Sequence, residues 1–519
     1  MVVIVNAKRK TTKVSEREKV AFVLSGAEAN EFSAIVKKDC TLEAEEFVLI
    51  EHPAGPPGEM VLGVVVGVKN VNASYTEQSP LVPFFQRGEN TQIGDQDFTV
   101  AKVAVHGAVK DDARGIRSLV PLFAAPVAGQ PVYRADSGDV RQYLMSLEPP
   151  GVEIGTMKNY EVRVALSVPK LFMHLAVLGV TGAGKSHALK VLLNGLKGLG
   201  SMCPPVLIVD PHGEYLAYAD EVVDPGPYVN RSIREITPEY FQEFLKVRFG
   251  KSAASTMVSK VVDQYLEGNQ WPPESPGPLL ALLDDPNIKG SSKTTTVEEA
   301  KRILGSRHVD RLFTTPRLDV RAFLKPETVT VLDVGAIELT KQQEFLRRLL
   351  DIIYDQATKL HAEGGAFAGI VVIDEVQRYA PESQFATGDA YKESRKAIFN
   401  VAAQGRKFGI GLVVASQRPA YVSKSVLAQC NTQLIFRLVA WPDLQTVRDV
   451  LGSQGVLQRL PYQPTGDAVL YGIASATEFP VVVSVDALPP RKGARDFSVK
   501  YEDRLAEFKA WHGGNDPGA

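Results

Sequence analysis

The chain of 519 residues is 45% hydrophobic and 23% charged, and 58 Lys and Arg stand against 60 Asp and Glu for a formal net charge of −2. This ordinary globular composition excludes a disordered, collagenous or disulfide-scaffold protein. The near-zero charge also excludes a surface coated in basic residues, so any nucleic-acid contact must be local, as in a lined channel.

At about 150 residues per domain, the length suggests about three domains. Met1 to Asn6 is apolar only briefly before Lys8, Arg9 and Lys10, which is too short and in the wrong charge order for a signal peptide. Cys40, Cys203 and Cys430 lie far apart without a CxxC pair, arguing against a zinc finger and for a reducing, cytoplasmic setting. Apolar runs approaching the ~18 residues of a membrane span are absent; Leu119 to Val132 is broken by Pro121, Pro126 and Pro131.

Residues 1–150 read as short strands (Val20–Leu24, Phe47–Glu51, Val61–Val68 and Phe98–Val105) separated by turn residues, the pattern of a small sandwich or barrel. From about 160 the text alternates apolar strands with amphipathic helices, the signature of an α/β fold with a parallel sheet covered on both faces. The expected strands are Leu175–Leu178, Val206–Val209, Val329–Leu332, Ile370–Ile373, Leu412–Ala415 and Leu434–Leu438. The core is expected in two parts, 151–230 and 326–490. Between them, 231–325 reads as a helical insertion, with Thr237–Phe249, Met257–Glu267 and Val297–Leu304 as examples, because a plain crossover needs far fewer residues. Thr340–Ala362 carries apolar residues at helical spacing and reads as a core helix. The charged segment 491–519 reads as a short helix with a frayed tail.

Gly179, Val180, Thr181, Gly182, Ala183, Gly184, Lys185 and Ser186 fit the phosphate-loop pattern GxxxxGK[ST] between an apolar strand and a helix. The glycines let backbone N–H groups form an anion nest, Lys185 reaches the β- and γ-phosphates of ATP, and Ser186 ligates Mg²⁺. His187 follows in the nucleotide-binding stretch. Gly369 to Ile373 followed by Asp374 and Glu375 supplies an apolar strand ending in two acids, Asp374 for the Mg²⁺ water shell and Glu375 as general base for the attacking water.

Two more strand ends carry polar residues where an open parallel sheet builds its site. In Asp210-Pro211-His212-Gly213-Glu214-Tyr215, Asp210 and Glu214 either assist the water or Mg²⁺ or stabilise a turn, and a zinc site around His212 lacks its paired histidines. In Ser416-Gln417-Arg418-Pro419, Gln417 is positioned to sense the γ-phosphate or the water. Arg406, in Gln404-Gly405-Arg406-Lys407-Phe408-Gly409, is either an arginine finger supplied to a neighbouring subunit or a solvated loop residue.

With these five motifs in this order, and Val426-Leu427-Ala428-Gln429-Cys430-Asn431-Thr432-Gln433 after the sensor strand, residues 160–490 resemble the HerA family of DNA-translocating ATPases, of the HerA/FtsK group. The resemblance implies a RecA-like P-loop ATPase core with an inserted helical subdomain and a small N-terminal β-barrel of the HAS-barrel kind. It implies a ring hexamer with double-stranded DNA through its central channel, hydrolysis of ATP between subunits, and a partner that is a NurA-type nuclease or a sirtuin-like or nuclease effector of antiphage defence. Carried over, Lys185 and Ser186 bind nucleotide and Mg²⁺, Asp374 and Glu375 form the hydrolytic pair, Gln417 is the sensor and Arg406 stands near the subunit interface. One departure is Met173-His174, where the family often has Arg-His; the trans cation would then come from Arg406, Arg378 or Arg418. Lys392, Arg395, Lys396 and Lys424 are either DNA-phosphate contacts or ordinary surface charges. The rival reading is an ATPase assembly platform that regulates a separate nuclease or NAD-cleaving enzyme, with DNA movement incidental.

Overall fold

Six antiparallel strands close on themselves in the first part of the computed structural model, which describes residues 17–72, 97–111, 117–143, 149–290, 292–451, 454–475, 477 and 479–489. With one strand outside the ring, the seven strands of this sheet are β1 (Lys19–Val23), β2 (Glu31–Val36), β3 (Phe47–Glu51), β4 (Met60–Asn72), β5 (Asp97–Asp111), β6 (Arg117–Val120) and β7 (Pro131–Arg134). The order β2-β1-β7-β3-β4-β5 returns through a β5–β2 pairing, and β6 pairs outside the ring with β5. Of the sandwich and the barrel, the chain forms the barrel. Alternate residues of β2 (Phe32, Ala34, Val36) turn inward, and closure leaves no unpaired edge in the ring.

The second sheet has eleven strands: β8 (Gly151–Met157), β9 (Arg163–Ser167), β10 (Leu175–Leu178), β11 (Val206–Asp210), β12 (Glu221–Val223), β13 (Val329–Asp333), β14 (Gly369–Ile373), β15 (Ile410–Ser416), β16 (Thr432–Ile435), β17 (Asp467–Gly472) and β18 (Val481–Val485). They run in the order β12-β13-β11-β14-β15-β10-β16-β17-β18-β8-β9. From β12 to β16 all pairings are parallel, and from β16 to β9 all are antiparallel. Five of the six expected strands agree within two residues. The sixth differs: the ladder ends at Ile435, short of the Leu438 that the apolar run suggests. Phe436 N donates to Leu178 O at 2.7 Å and Val180 N to Arg437 O at 2.9 Å, so the apolar run continues as packing under the phosphate loop.

Strands β10, β11, β14 and β15 are buried along their whole lengths, as a sheet covered on both faces requires. Helix Lys185–Lys197 covers one face with Leu189, Leu192, Leu193 and Leu196. Helices Leu339–Ala362 and Ala390–Gln404 cover the other with Phe345, Leu346, Leu349, Ile398 and Val401.

Between β12 and β13, helices Pro238–Phe249, Ala253–Leu266, Gly277–Leu282, Pro286–Lys289, Thr294–Leu304 and Arg307–Thr314 enclose their own core around Phe241, Leu245, Val258, Val262, Leu279 and Leu304. Four of these starts are set by side-chain caps: Thr237 accepts from Tyr240 N, Ser252 forms a capping box with Ser255, Asp285 accepts from Asn287 N, and Ser306 accepts from Val309 N. The insertion is tied to the core through buried Arg348, which meets Glu235 at 2.5 Å and donates to the carbonyls of Tyr228, Val229 and Asn230 at 3.1 Å each.

The barrel keeps a core of its own, around Val20, Phe32, Val48, Val61 and Val103, and its outer residues Phe47, Leu49 and Leu62 join the core of the large sheet. Phe47 of β3 lies between Tyr160 and Phe479, with ring centroids 5.3 and 5.5 Å away, and its N–H donates to the Tyr160 hydroxyl at 2.6 Å. The tail expected at 491–519 lies outside the described residues.

Candidate functional site

The strand order decides what meets at the carboxyl edge of the sheet. β15 lies between β10 and β14, so its end, Ser416-Gln417, emerges between the loop that follows β10 and the acids that follow β14. The phosphate loop leaves β10 at Gly179 and enters the helix at Lys185. A Cβ on Gly179 would stand 2.5 Å from Phe436 Cβ, at a φ of 154° that other residues rarely adopt, so only glycine fits. Gly184, with φ 120°, is the helix N-cap and offers no side-chain cap, which leaves the first N–H groups of the helix directed at the loop, the arrangement that receives phosphate oxygens.

Lys185 is buried at 6% exposure and its Nζ donates to the Val180 carbonyl at 3.1 Å, closing the loop on itself. Burial lowers its pKa, against the opposing pull of Glu375, Asp374 and Glu214. The His187 ring turns away from the loop, with Nε2 2.7 Å from the Asp486 carbonyl.

Asp374 is 3% exposed. Its Oδ1 accepts from Glu375 N at 2.9 Å and its Oδ2 from the Tyr215 hydroxyl at 3.2 Å. Its carboxyl is pushed up to about 7, first by burial and then by the neighbouring charges of Glu375 and Glu214. The phenol of Tyr215 is fully buried and stands beside Ser186 as well as Asp374, so one ring lies next to both residues expected to hold Mg²⁺. These two hard oxygen donors, with a carboxylate whose charge is poorly compensated, fit a magnesium ion. Among the described residues no group of three or more His, Cys, Asp or Glu could hold a metal, so such an ion would depend on phosphate oxygens as well.

The raised pKa has a sign that can be tested. Between the ordinary aspartate value and about 7 the native state keeps a proton that the unfolded chain releases, so Asp374 makes stability fall as pH rises through that window. Asp374→Asn is therefore expected to raise the melting temperature of the nucleotide-free protein at pH 8, with the gain shrinking as pH is lowered toward 5, while hydrolysis is lost. Thermal melts at both pH values check this.

Of the two roles open to Asp210, the geometry supports the turn. Its carboxylate is fully buried and accepts the backbone N–H of His212 (3.0 Å), Gly213 (2.8 Å) and Tyr215 (2.9 Å). It thereby shapes the loop that delivers Tyr215 to Asp374. Glu214 is close enough to act electrostatically on both Lys185 and Asp374. His212 is exposed.

Glu375 has a left-handed backbone (φ 50°, ψ 46°) and is 6% exposed. Gln417 Nε2 donates to its Oε1 at 2.5 Å, and the Thr181 hydroxyl bonds to Gln417 Oε1. The expected sensor thus touches both the phosphate loop and the expected base. The sequence offers no pointer to Gln377, whose amide bonds Glu375 Oε2. Tyr215 is visible there only as the last residue of its motif.

Arg406 is brought to none of these groups. It is exposed in the turn Gly405–Phe408 that precedes β15, at the amino edge of the sheet. Met173 lies at that same edge, its carbonyl accepting from Asn431 N and Nδ2 at 3.1 Å each. Arg418 is committed within the chain, 3.1 Å from buried Asp443 and stacked over the Tyr421 ring at 4.3 Å. Arg378 closes the short turn that follows Glu375, and its Nε is buried without a partner. Lys392 pairs with Asp389 at 2.7 Å, and Arg395 donates to Ser383 Oγ at 2.8 Å. Lys396 and Lys424 are both exposed.

Comparison with known proteins adds three findings. Residues 152–364 match the family model described as "Helicase HerA, central domain". The chain is 25% identical to the DNA double-strand break repair helicase HerA of Pyrococcus furiosus, over 90% of this chain and 92% of that one, and 22% identical to that of Sulfolobus acidocaldarius, over 94% and 97%. Among solved structures it resembles VirB4 of Thermoanaerobacter pseudethanolicus, with a TM-score of 0.42 and 15% identity over 66% of this chain and 98% of that one.

Proposed function

We propose, from the premise that this chain is a HerA-family P-loop ATPase, that it works as a ring hexamer whose ATP hydrolysis drives movement along double-stranded DNA. The DNA would pass through the channel toward a nuclease of the NurA type or a defence effector. The observation that carries this reading is the separation of Arg406 from its own chain's site. The phosphate loop, the acids and Gln417 share the carboxyl edge, and Arg406 is exposed at the amino edge, away from its own site and open to another copy.

In this reading Lys185 and the N–H groups of the loop bind the β- and γ-phosphates. Ser186 and Asp374 would hold Mg²⁺, which neutralises phosphate charge when bound. Glu375 accepts the proton of the attacking water, Gln417 links that base to Thr181 of the phosphate loop, and Arg406 of the neighbouring copy neutralises charge on the transferred phosphoryl group.

Contact with DNA is supported by a ledge at the carboxyl edge. Glu382 N donates to Tyr421 O at 2.8 Å, Lys424 N to Glu382 Oε2 at 3.1 Å, and Phe385 stacks on Tyr421 at 3.9 Å, so the segments after β14 and β15 form one surface. It presents Lys424 to solvent, and phosphate contacts of this kind weaken with salt. Among the described residues no helix is long and apolar enough to cross a membrane.

The test is steady-state ATP hydrolysis with and without linear duplex DNA, with Lys185→Ala as control. Stimulation by duplex DNA that falls steeply with salt is the expected result. Hydrolysis indifferent to DNA but changed by an added nuclease or NAD-cleaving enzyme would replace this reading with the assembly platform, which apolar Met173 at the amino edge favours.

A further inference from the structure

Both carboxylate oxygens of Glu375 carry an amide donor, and each amide is oriented by a hydroxyl. On one side Gln417 Nε2 bonds Oε1, with Gln417 Oε1 taken by the Thr181 hydroxyl. On the other Gln377 Nε2 bonds Oε2, with Gln377 Oε1 accepting from the Ser416 hydroxyl at 2.8 Å. Ser416 in turn accepts the Arg418 backbone N–H at 3.0 Å. A hydroxyl has one proton to give, and with the Arg418 N–H on a lone pair that proton is directed at Gln377. The Gln377 amide is thereby held with its NH₂ toward the carboxylate; the flipped arrangement would set oxygen against oxygen at Glu375.

The two amides differ in what they are tied to. Gln417 is bonded to the phosphate loop and must answer to whatever occupies it. Gln377 is bonded to Ser416 at the end of β15, which is fully buried and fixed in the sheet by its neighbours β10 and β14. It is the constant half of the grip. Glu375 needs such a hold, because its backbone sits in the left-handed region that non-glycine residues disfavour and its carboxylate, at the end of a flexible side chain, swings unless it is held. Each oxygen has two lone-pair directions, so one amide per oxygen fixes the plane and leaves a lone pair for the water proton.

We propose that Gln377 is a positioning residue for ATP hydrolysis, fixing Glu375 through an amide that Ser416 orients. The inference rests on the reading of Glu375 as the general base. A base held loosely loses rate without losing nucleotide, since the Gln377 amide is bonded to Glu375 and Ser416 and not to the phosphate loop.

The test uses Gln377→Met, which keeps the length of the side chain and removes the donor, alone and combined with Ser416→Ala, with Glu375→Gln assayed beside them. Expected for Gln377→Met is a kcat about tenfold lower, with KM for ATP, affinity for a non-hydrolysable ATP analogue and melting temperature unchanged. Ser416→Ala alone is expected to lower kcat by a smaller factor and to cost nothing further in the Gln377→Met background, because it acts through Gln377. A kcat within twofold of wild type, a fall in kcat matched by a rise in KM or a lower melting temperature, or full additivity of the two substitutions would overturn the positioning role. Glu375→Gln separates the two failures. If it is inactive while Gln377→Met is normal, only the positioning role falls; if it hydrolyses ATP at the wild-type rate, the reading of Glu375 as base falls first.

Discussion

Glu375→Gln is expected to reduce ATP hydrolysis by roughly 10²–10⁴-fold, the usual contribution of a positioned general base, and to leave ATP binding intact. The substitution is nearly isosteric, and the groups that bind the phosphates, Lys185 and the uncapped helix N-terminus, are untouched. What changes is chemistry: an amide cannot accept the proton of the attacking water. It also breaks the local network, since Gln417 and Gln377 both present N–H donors to residue 375, and a glutamine there offers only one acceptor oxygen to the two of them. Single-turnover hydrolysis measured beside equilibrium binding of labelled ATP checks both halves. A variant that binds ATP poorly would show that residue 375 holds the loop instead of activating water.

The second large effect is a complementation. Arg406→Ala and Lys185→Ala are each expected to abolish hydrolysis, the former by about 10³-fold or more if Arg406 acts as an arginine finger. β15 alone separates Arg406 from Gln417, and its seven residues span roughly 20 Å at strand rise. A cation that far away cannot serve its own chain, but in a head-to-tail ring it can meet the site of the next one. When the two inactive variants are mixed and reassembled, roughly one site in four pairs an intact phosphate loop with an intact Arg406, and hydrolysis should return to about that fraction of wild type. If co-assembly is verified and the mixture stays inactive, Arg406 is not the trans cation. If Arg406→Ala alone hydrolyses ATP at the wild-type rate, it is a solvated loop residue, and Arg378, near Glu375 with a buried unpartnered Nε, becomes the next candidate.

Legibility in the sequence follows locality. Strands β10, β11, β13 and β14 can be read because each is a short, largely apolar run that a sheet covered on both faces demands, and each ends in turn or polar residues. The phosphate loop can be read because its spacing is itself the structure. By contrast β8–β9 and β17–β18 are local antiparallel pairs outside the strand–helix alternation, and their place in the sheet is set only when β18 pairs with β8 across some 300 residues. Leu434–Leu438 reads as one strand since periodicity cannot tell a ladder from packing beneath a loop. The same limit applies in the site. Glu375 stands out as an acid at a strand end, but Gln377 gains meaning only when β15 brings Ser416 beside it, and Asp210 looks as fit for metal as for a turn until three N–H groups converge on it.

The packing of the barrel against the large sheet bears on how force would travel through the molecule. Phe47, clasped between Tyr160 and Phe479 and hydrogen-bonded to the former, leaves no slack between the small ring of strands and the edge of the large sheet. A domain on a tether would lag behind the ATPase body, whereas this one is packed against it. Any tilt of the ATPase body during a catalytic cycle would swing the barrel through the same angle, so whatever rests on the barrel would be moved by a rigid lever arm.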